Sequence, residues 1–285
     1  MLLVAGGQLD PNVGCLLRRV LARGVDFRDL LVGPDLTPRI EMDVRSGTLC
    51  VDGERLDPTA CFVRHDVFLH QNSGRGVDFA GALNWFYAVR GWAVSNREVR
   101  ILNRHSYSSE NNKIENLTLA LQCGLKIPDT IVTNVFVGGD VTWIQKPVAG
   151  GSYTTTLASL VLDEEANKTP YPRFLQPKMH RPELRIYRIG STLLGFAITS
   201  PELDYRVSRD AVIEAADVPA EVAAGLVVLC DALGLDFAAA DFMHEADGEL
   251  RFLEINTQPM FAAFDRVVGG KLTDAIIDHL LRPGT

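Results

Sequence analysis

Residues 2–5 form an apolar run of strand length that stops at Gly6-Gly7. Helical spacing takes over from about residue 12 to 23, and Gly24 ends it. Short strands are expected near 30–32 and 60–63, with a hairpin around Asp52-Gly53 between them. A helix fits 79–90, where Leu83, Phe86 and Tyr87 share a face with Val77 or Phe79 and read as core. From residue 99 the character changes. A strand at 99–102 leads to a helix from about 110 to 123, capped by Ser108 or Ser109, terminated by Gly124 and barred from continuing by Pro128. Strands follow at 131–133, 141–146, 173–179, 184–189 and 192–199, the last two joined at Gly190-Ser191. Pro219 opens a helix ending near Leu233-Gly234, and a hairpin and a C-terminal helix complete the pattern. This mixture predicts an α/β protein.

The first strand–glycine–helix passage invites a dinucleotide-binding reading. Its G-x-G-x-x-G fingerprint is absent, and Asp10-Pro11 interrupts the place where phosphate-binding amides would lie. A tight strand-to-helix connection is expected instead.

The late hairpin, residues 237–256, carries the most chemistry. Two apolar runs flank Asp247-Gly248, a favoured two-residue turn. With that turn, Asp241 stands directly opposite Glu254, Cα atoms roughly 4.5–5.5 Å apart. Asn256, two residues on, points the same way. Facing carboxylates repel and weaken a sheet. Their neighbours Ala240, Phe242, Leu253 and Ile255 are apolar, and Met243 and Phe252 are expected on the carboxylate side, so water screens the pair poorly. Either a cation lies between them or the hairpin is an edge whose charged side is solvated. An all-oxygen set of Asp, Glu and Asn suits a hard cation, Mg²⁺ shared with phosphate oxygens.

Several cations could serve an anion. Lys146 ends an apolar strand beside Gly150, Gly151 and Ser152, where loop amides can close over a phosphate. Arg185 and Arg206 can each grip a carboxylate or phosphate bidentately, or pair with Glu183 and Asp204 on the surface. Lys113 sits in the first turns of its helix, where the dipole offers a cation nothing and a ligand explains it better.

Composition narrows the field. The chain has 285 residues, enough for two or three packed subdomains, and a formal charge of −8, which argues against a nucleic-acid partner. Five scattered cysteines form no C-x-x-C pair and read as free thiols, and His65 and His70 are poorly spaced for a metal. No segment reaches the ~20 apolar residues of a membrane span, and the N-terminus lacks signal-peptide character. No membrane association and a cytoplasmic location are expected.

Taken together, these segments resemble the ATP-grasp superfamily, within it the ribosomal-protein glutamate ligases and the microviridin-type (graspetide) peptide macrocyclases. Asn112-Lys113, Leu119-Ala120 and the run Gly124 to Thr130 look like the opening of the central subdomain. Ile144 to Pro147 through Gly151 is similar to the second phosphate-binding lysine and its glycine loop. Residues Phe174 to Met179 resemble the adenine-binding hinge, Glu183-Leu184-Arg185 the acidic-x-Arg strand, and Phe252 to Asn256 with Pro259 the metal-binding strand, with Asp241 as partner. The similarity spans roughly residues 100–265. It implies a pre-ATP-grasp α/β domain at 1–98, a central subdomain at 99–175 and a C-terminal subdomain at 176–285. It further implies ATP bound by Lys113, Lys146, Gly150, Gly151, Ser152, Gln176, Lys178 and Met179, and Mg²⁺ bound by Asp241, Glu254 and Asn256. Arg185 and Arg206 would stabilise the developing oxyanion. The implied reaction joins a carboxylate, activated as acyl-phosphate, to an amine or hydroxyl acceptor, on a peptide in natural-product biosynthesis or on a small molecule; the alternative is a nucleotide-binding regulatory module that has lost catalysis. A homodimer is compatible with it. Only about 22 residues separate Gly151 from the hinge strand, and the whole chain is shorter than peptide macrocyclases lead one to expect.

Overall fold

The computed structural model describes residues 1–65, 79–106, 112–136, 142–149, 154–159, 168–201 and 210–282. Two compact units emerge: Met1–His105 with Met260–Thr285, and Ser106–Pro259. Among the described residues no helix is long and apolar enough to cross a membrane.

In the first unit, β1 (Leu2–Gly7) is wholly buried, which explains its uninterrupted apolar run. It is followed by α1 (Pro11–Ala22), β2 (Phe27–Val32), β3 (Ile40–Asp43), β4 (Thr48–Val51), β5 (Glu54–Leu56), β6 (Ala60–Val63), α2 (Phe79–Ser95) and β7 (Arg100–Ile101). A parallel sheet has the order β2-β1-β6-β7, and β3-β4-β5 is a small antiparallel sheet. Asp10-Pro11 turns out to be a helix start. The Asp10 carboxylate accepts from the Asn12 N–H, and Pro11 takes the first helical position, where its missing N–H costs nothing. Helix α2 extends past residue 90 because Trp92 and Ala93 still face the core formed with Leu3, Ala5, Leu30 and Ile101.

The second unit begins with α3 (Lys113–Gln122). Its N-cap is Asn112, whose side-chain oxygen accepts from Ile114 and Glu115; the expected caps Ser108 and Ser109 lie outside the described residues. There follow β8 (Ile131–Val135), β9 (Trp143–Pro147), β10 (Thr155–Thr156), β11 (Lys168–Pro177), β12 (His180–Ile189), β13 (Thr192–Thr199), β14 (Val212–Ala216), α4 (Ala220–Ala232), β15 (Phe237–His244) and β16 (Leu250–Asn256). They form two antiparallel sheets, ordered β10-β9-β11-β8 and β14-β13-β12-β15-β16. Leu117 and Ala120 of α3 and Leu226, Leu229 and Cys230 of α4 pack with Ile186, Ala240, Phe242, Phe252 and Ile255. The helices thus cover one face of the five-stranded sheet. Side-chain alternation sends Arg185, Asp241, Glu254 and Asn256 to the opposite face.

The chain then re-enters the first unit as α5 (Ala262–Val267) and α6 (Lys271–Leu281). Buried Leu272, Ile276, Ile277 and Leu280 give α6 an apolar face. Arg19 of α1 grips the Asp274 carboxylate, and Arg23 reaches Asp274 at 3.1 Å and Asp278 at 2.6 Å. Residues 260–282 therefore pack with the N-terminal sheet, whereas the sequence placed them with the segment before.

Candidate functional site

Strands β15 and β16 bring Asp241 opposite Glu254, as the sequence predicts, but by a different route. The turn holds three residues, not two. Glu245 N–H donates to Glu249 at 3.0 Å, and Gly248 takes φ 80°, the left-handed position such loops require. That pairs Phe242 with Phe252 and would set Leu253 against Asp241. A bulge between Phe252 and Glu254 absorbs the extra residue, after which Glu254 faces Asp241 and Asn256 faces Ala239. The same bulge corrects the expectation for Phe252, which is fully buried against Phe242 in the helix-covered core and not beside the carboxylates.

Arg185 on β12 is the cross-strand neighbour of Asp241 on the other side. Its Nε donates to Asp241 Oδ1 at 2.6 Å and its Nη2 to Oδ2 at 2.7 Å, a two-pronged pair in which both partners are buried. The Asn256 side-chain amide lies 3.4 Å from both Asp241 Oδ2 and Glu254 Oε1. Lys113, the first residue of α3, packs beside edge strand β16 and sets its Nζ 2.8 Å from Glu254 Oε2. Lys146 on β9 stands 5.9 Å from the centre of the Phe174 ring on β11.

The electrostatics match this crowding. Burial pushes the Lys146 ammonium down to about 8, with Lys113 adding repulsion against the attraction of Glu254 and Asp241. Burial raises Asp241, and the Arg185 fork opposes it. For Glu254, burial is outweighed by Lys113, then Lys146 and Arg185, which hold the carboxyl at about 2. Glu183 on β12 joins the group unforeseen as a site residue. Burial and the Asp241 charge push it up to about 7 against Arg185 and Arg181. Its signal in the sequence is the acidic-x-Arg strand Glu183-Leu184-Arg185, in which only Arg185 is given a role.

Other predicted residues have other surroundings. Gln176 is fully buried and its amide donates to Thr130 Oγ1 at 2.8 Å. Lys178 is exposed, and its backbone N–H donates to Thr142 at 2.8 Å; Met179 is buried. Gly150, Gly151, Ser152 and Arg206 lie outside the described residues. Gln145, beside Lys146 on β9 and given no role of its own in the sequence, is buried and links Arg173 to Thr155.

Among the described residues, no three His, Cys, Asp or Glu side chains form a metal-binding group. A metal here would rest on two carboxylates and one amide, all oxygen donors, which is the chemistry Mg²⁺ accepts when phosphate oxygens and water supply the remainder.

No protein-family model matches the chain, and no curated protein does. Solved structures do. The ATP-grasp ligase PsnB, complexed with a minimal precursor, aligns at TM-score 0.75 and 22% identity over 98% of each chain. The same ligase with precursor, Mg and ADP gives 0.72. The macrocyclase MdnC from Microcystis aeruginosa MRC, bound with precursor peptide MdnA, aligns at 0.72 and 18% identity over 99% of this chain and all of that one. A RiPP-associated ATP-grasp ligase from Chryseobacterium gregarium, in complex with ADP and a leader and core peptide, aligns at 0.70 and 18% identity over 100% and 97%. Matches that take in 97–100% of those chains correct the expectation of a chain shorter than the peptide macrocyclases, and show that the chain has the ATP-grasp fold.

Proposed function

We propose that the chain is an ATP- and magnesium-dependent ligase that activates a carboxylate as an acyl-phosphate and passes it to an amine or hydroxyl, with a peptide as substrate. The observation that carries this reading is one sheet face holding Asp241, Glu254 and Asn256 together with Lys113 and Arg185. Mg²⁺ held by those three oxygen-bearing side chains would neutralise phosphate charge. Lys113 and Lys146 would hold the polyphosphate, with Gly150, Gly151 and Ser152 as further phosphate-binding candidates and Gln176–Met179 forming the adenine side.

A substrate carboxylate oxygen attacks the terminal phosphorus, and the bond to ADP breaks. The acceptor then attacks the acyl carbon, inorganic phosphate leaves, and the acceptor's proton departs. Arg185 would stabilise the oxyanion formed in that second step, with Arg206 as a second candidate. Glu183, buried on the strand that carries Arg185, is a candidate to take the proton. Positioning and charge compensation do the work, so no covalent enzyme nucleophile is needed. The peptide substrate is supported by PsnB, MdnC and the Chryseobacterium ligase, all solved with peptides and matching this chain end to end.

The test is incubation with ATP, Mg²⁺ and acid-bearing peptides, following ADP and peptide mass. Loss of one water per bond formed, and a hydroxamate when hydroxylamine is added, are the expected results. ADP release with free amino acids alone would redirect the reading to a small-molecule ligase. No acid-dependent ADP release with either would end it.

A further inference from the structure

The candidate metal ligands already carry protein cations, and this bears on how the site fills. Both Asp241 oxygens are taken by Arg185, at 2.6 and 2.7 Å, and Glu254 Oε2 is taken by Lys113 at 2.8 Å. Glu254 Oε1 and Asp241 Oδ2 also face the Asn256 amide at 3.4 Å. A bare divalent ion approaching this face therefore meets carboxylates whose charge is largely offset, and gains the full charge of either one only by displacing a cation.

The two ion pairs differ in how readily they part. Arg185 and Asp241 side chains are 9% and 6% exposed, so separating them would strand a buried charge. Lys113 and Glu254 are 22% and 29% exposed, open enough for exchange. Lysine is a single point charge on a flexible stem and lacks the rigid fork that locks arginine onto a carboxylate. Its place at the N-terminus of α3 adds nothing to hold it, since the helix dipole repels a cation there. Glu254 is what keeps it.

We propose that Lys113 is an exchangeable counter-ion: it neutralises Glu254 until a polyphosphate draws it away, so that metal and nucleotide enter together and the bare ion is disfavoured. This rests on the reading of the face as a metal–nucleotide site. A phosphate chain supplies the negative charge that Lys113 needs on leaving Glu254, and the released carboxylate supplies the charge the metal needs. Each ligand removes the other's obstacle, which is positive coupling in the thermodynamic sense.

The inference predicts an outcome opposite to that of a plain nucleotide-holding lysine. Removing Lys113 should tighten the bare metal while loosening the nucleotide. Mn²⁺ binding to the purified full chain, read by electron paramagnetic resonance without nucleotide, should strengthen roughly tenfold in Lys113→Met and Lys113→Gln. Lys113→Arg, which keeps the charge, should bind Mn²⁺ no better than the natural chain. Lys126→Met makes the same change in net charge at a lysine paired with Glu249, and should leave Mn²⁺ affinity unmoved. Unchanged or weaker Mn²⁺ binding in the folded Met and Gln variants overturns the exchange. If the natural chain binds neither ADP nor ATP in the presence of Mn²⁺, the parent reading fails first, and the two failures stay distinguishable.

Discussion

Arg185 illustrates how much one side chain contributes when both it and its partner are out of water. Truncation to alanine leaves the Asp241 carboxylate buried without its guanidinium, a loss expected to cost about 3–5 kcal/mol. Urea unfolding of Arg185→Ala should show it. The double variant Arg185→Met with Asp241→Leu should regain most of that stability, because the unpaired charge is gone. Conservative neutralisation gives a different result. Glu254→Gln keeps shape and packing at a part-exposed position and leaves the buried Arg185–Asp241 pair intact, so the melting temperature should hold within a few degrees. ATP turnover should nonetheless fall by about 100-fold or more, as expected when charge at the reacting phosphate is no longer compensated. Wild-type turnover in this variant would remove the metal assignment.

Among the elements, two glycines make opposite predictions. Gly248 closes the β15–β16 turn at φ 80° with open space where a Cβ would project, so an alanine there meets backbone strain alone. Gly248→Ala should destabilise by about 1 kcal/mol. Gly91 lies within α2 at an ordinary helical angle, also with open space around it. Gly91→Ala should stabilise by about 0.5–1 kcal/mol, and thermal melts of the two variants should move in opposite directions. The same hairpin shows how far local pattern reaches. Alternation located both strands, and the Asp241–Glu254 pairing followed from a two-residue turn that does not form. The longer turn and the Leu253 bulge offset each other. Neither leaves a strong mark in sequence, because a three-residue loop with glycine last shares its composition with a shorter one. Strand β14 passed unread, since only Ile213 and Ala216 of its five residues are even partly buried and no alternation stands out. At Asp10-Pro11 the expected tight strand-to-helix connection forms. The cap and the proline supply the physical reason for it.

At the scale of the whole molecule, the feature least visible in sequence is the return of residues 260–282 to the first unit, since contacts across some 250 positions have no local signature. Asp274 makes that return testable by pH. Its hydrogen bond to Arg19, and then the charges of Arg19 and Arg23, hold its carboxyl below the usual value of 3.8. A depressed folded-state value means the contribution is complete above pH 3.8 and fades as pH falls through the lower folded value. The melting-temperature difference between the natural chain and Asp274→Asn should therefore be constant near neutrality and shrink below about pH 4. Because the side chain is 28% exposed, the difference should be modest, within about 1 kcal/mol. A gap that grows on acidification would contradict the pairing.

Since α6 belongs to the first unit but is encoded after the second, a ribosome must translate every residue from 106 to 259 before the N-terminal sheet can acquire its last helix. At ordinary elongation speeds that interval is roughly ten to thirty seconds. Throughout it, the flanks of α1 and β6 that α6 later covers stay open to water and to holdase chaperones. The nascent chain thus exposes apolar surface for far longer than a contiguous domain of similar size, and its yield in a cell should depend on what shields that surface while synthesis runs on.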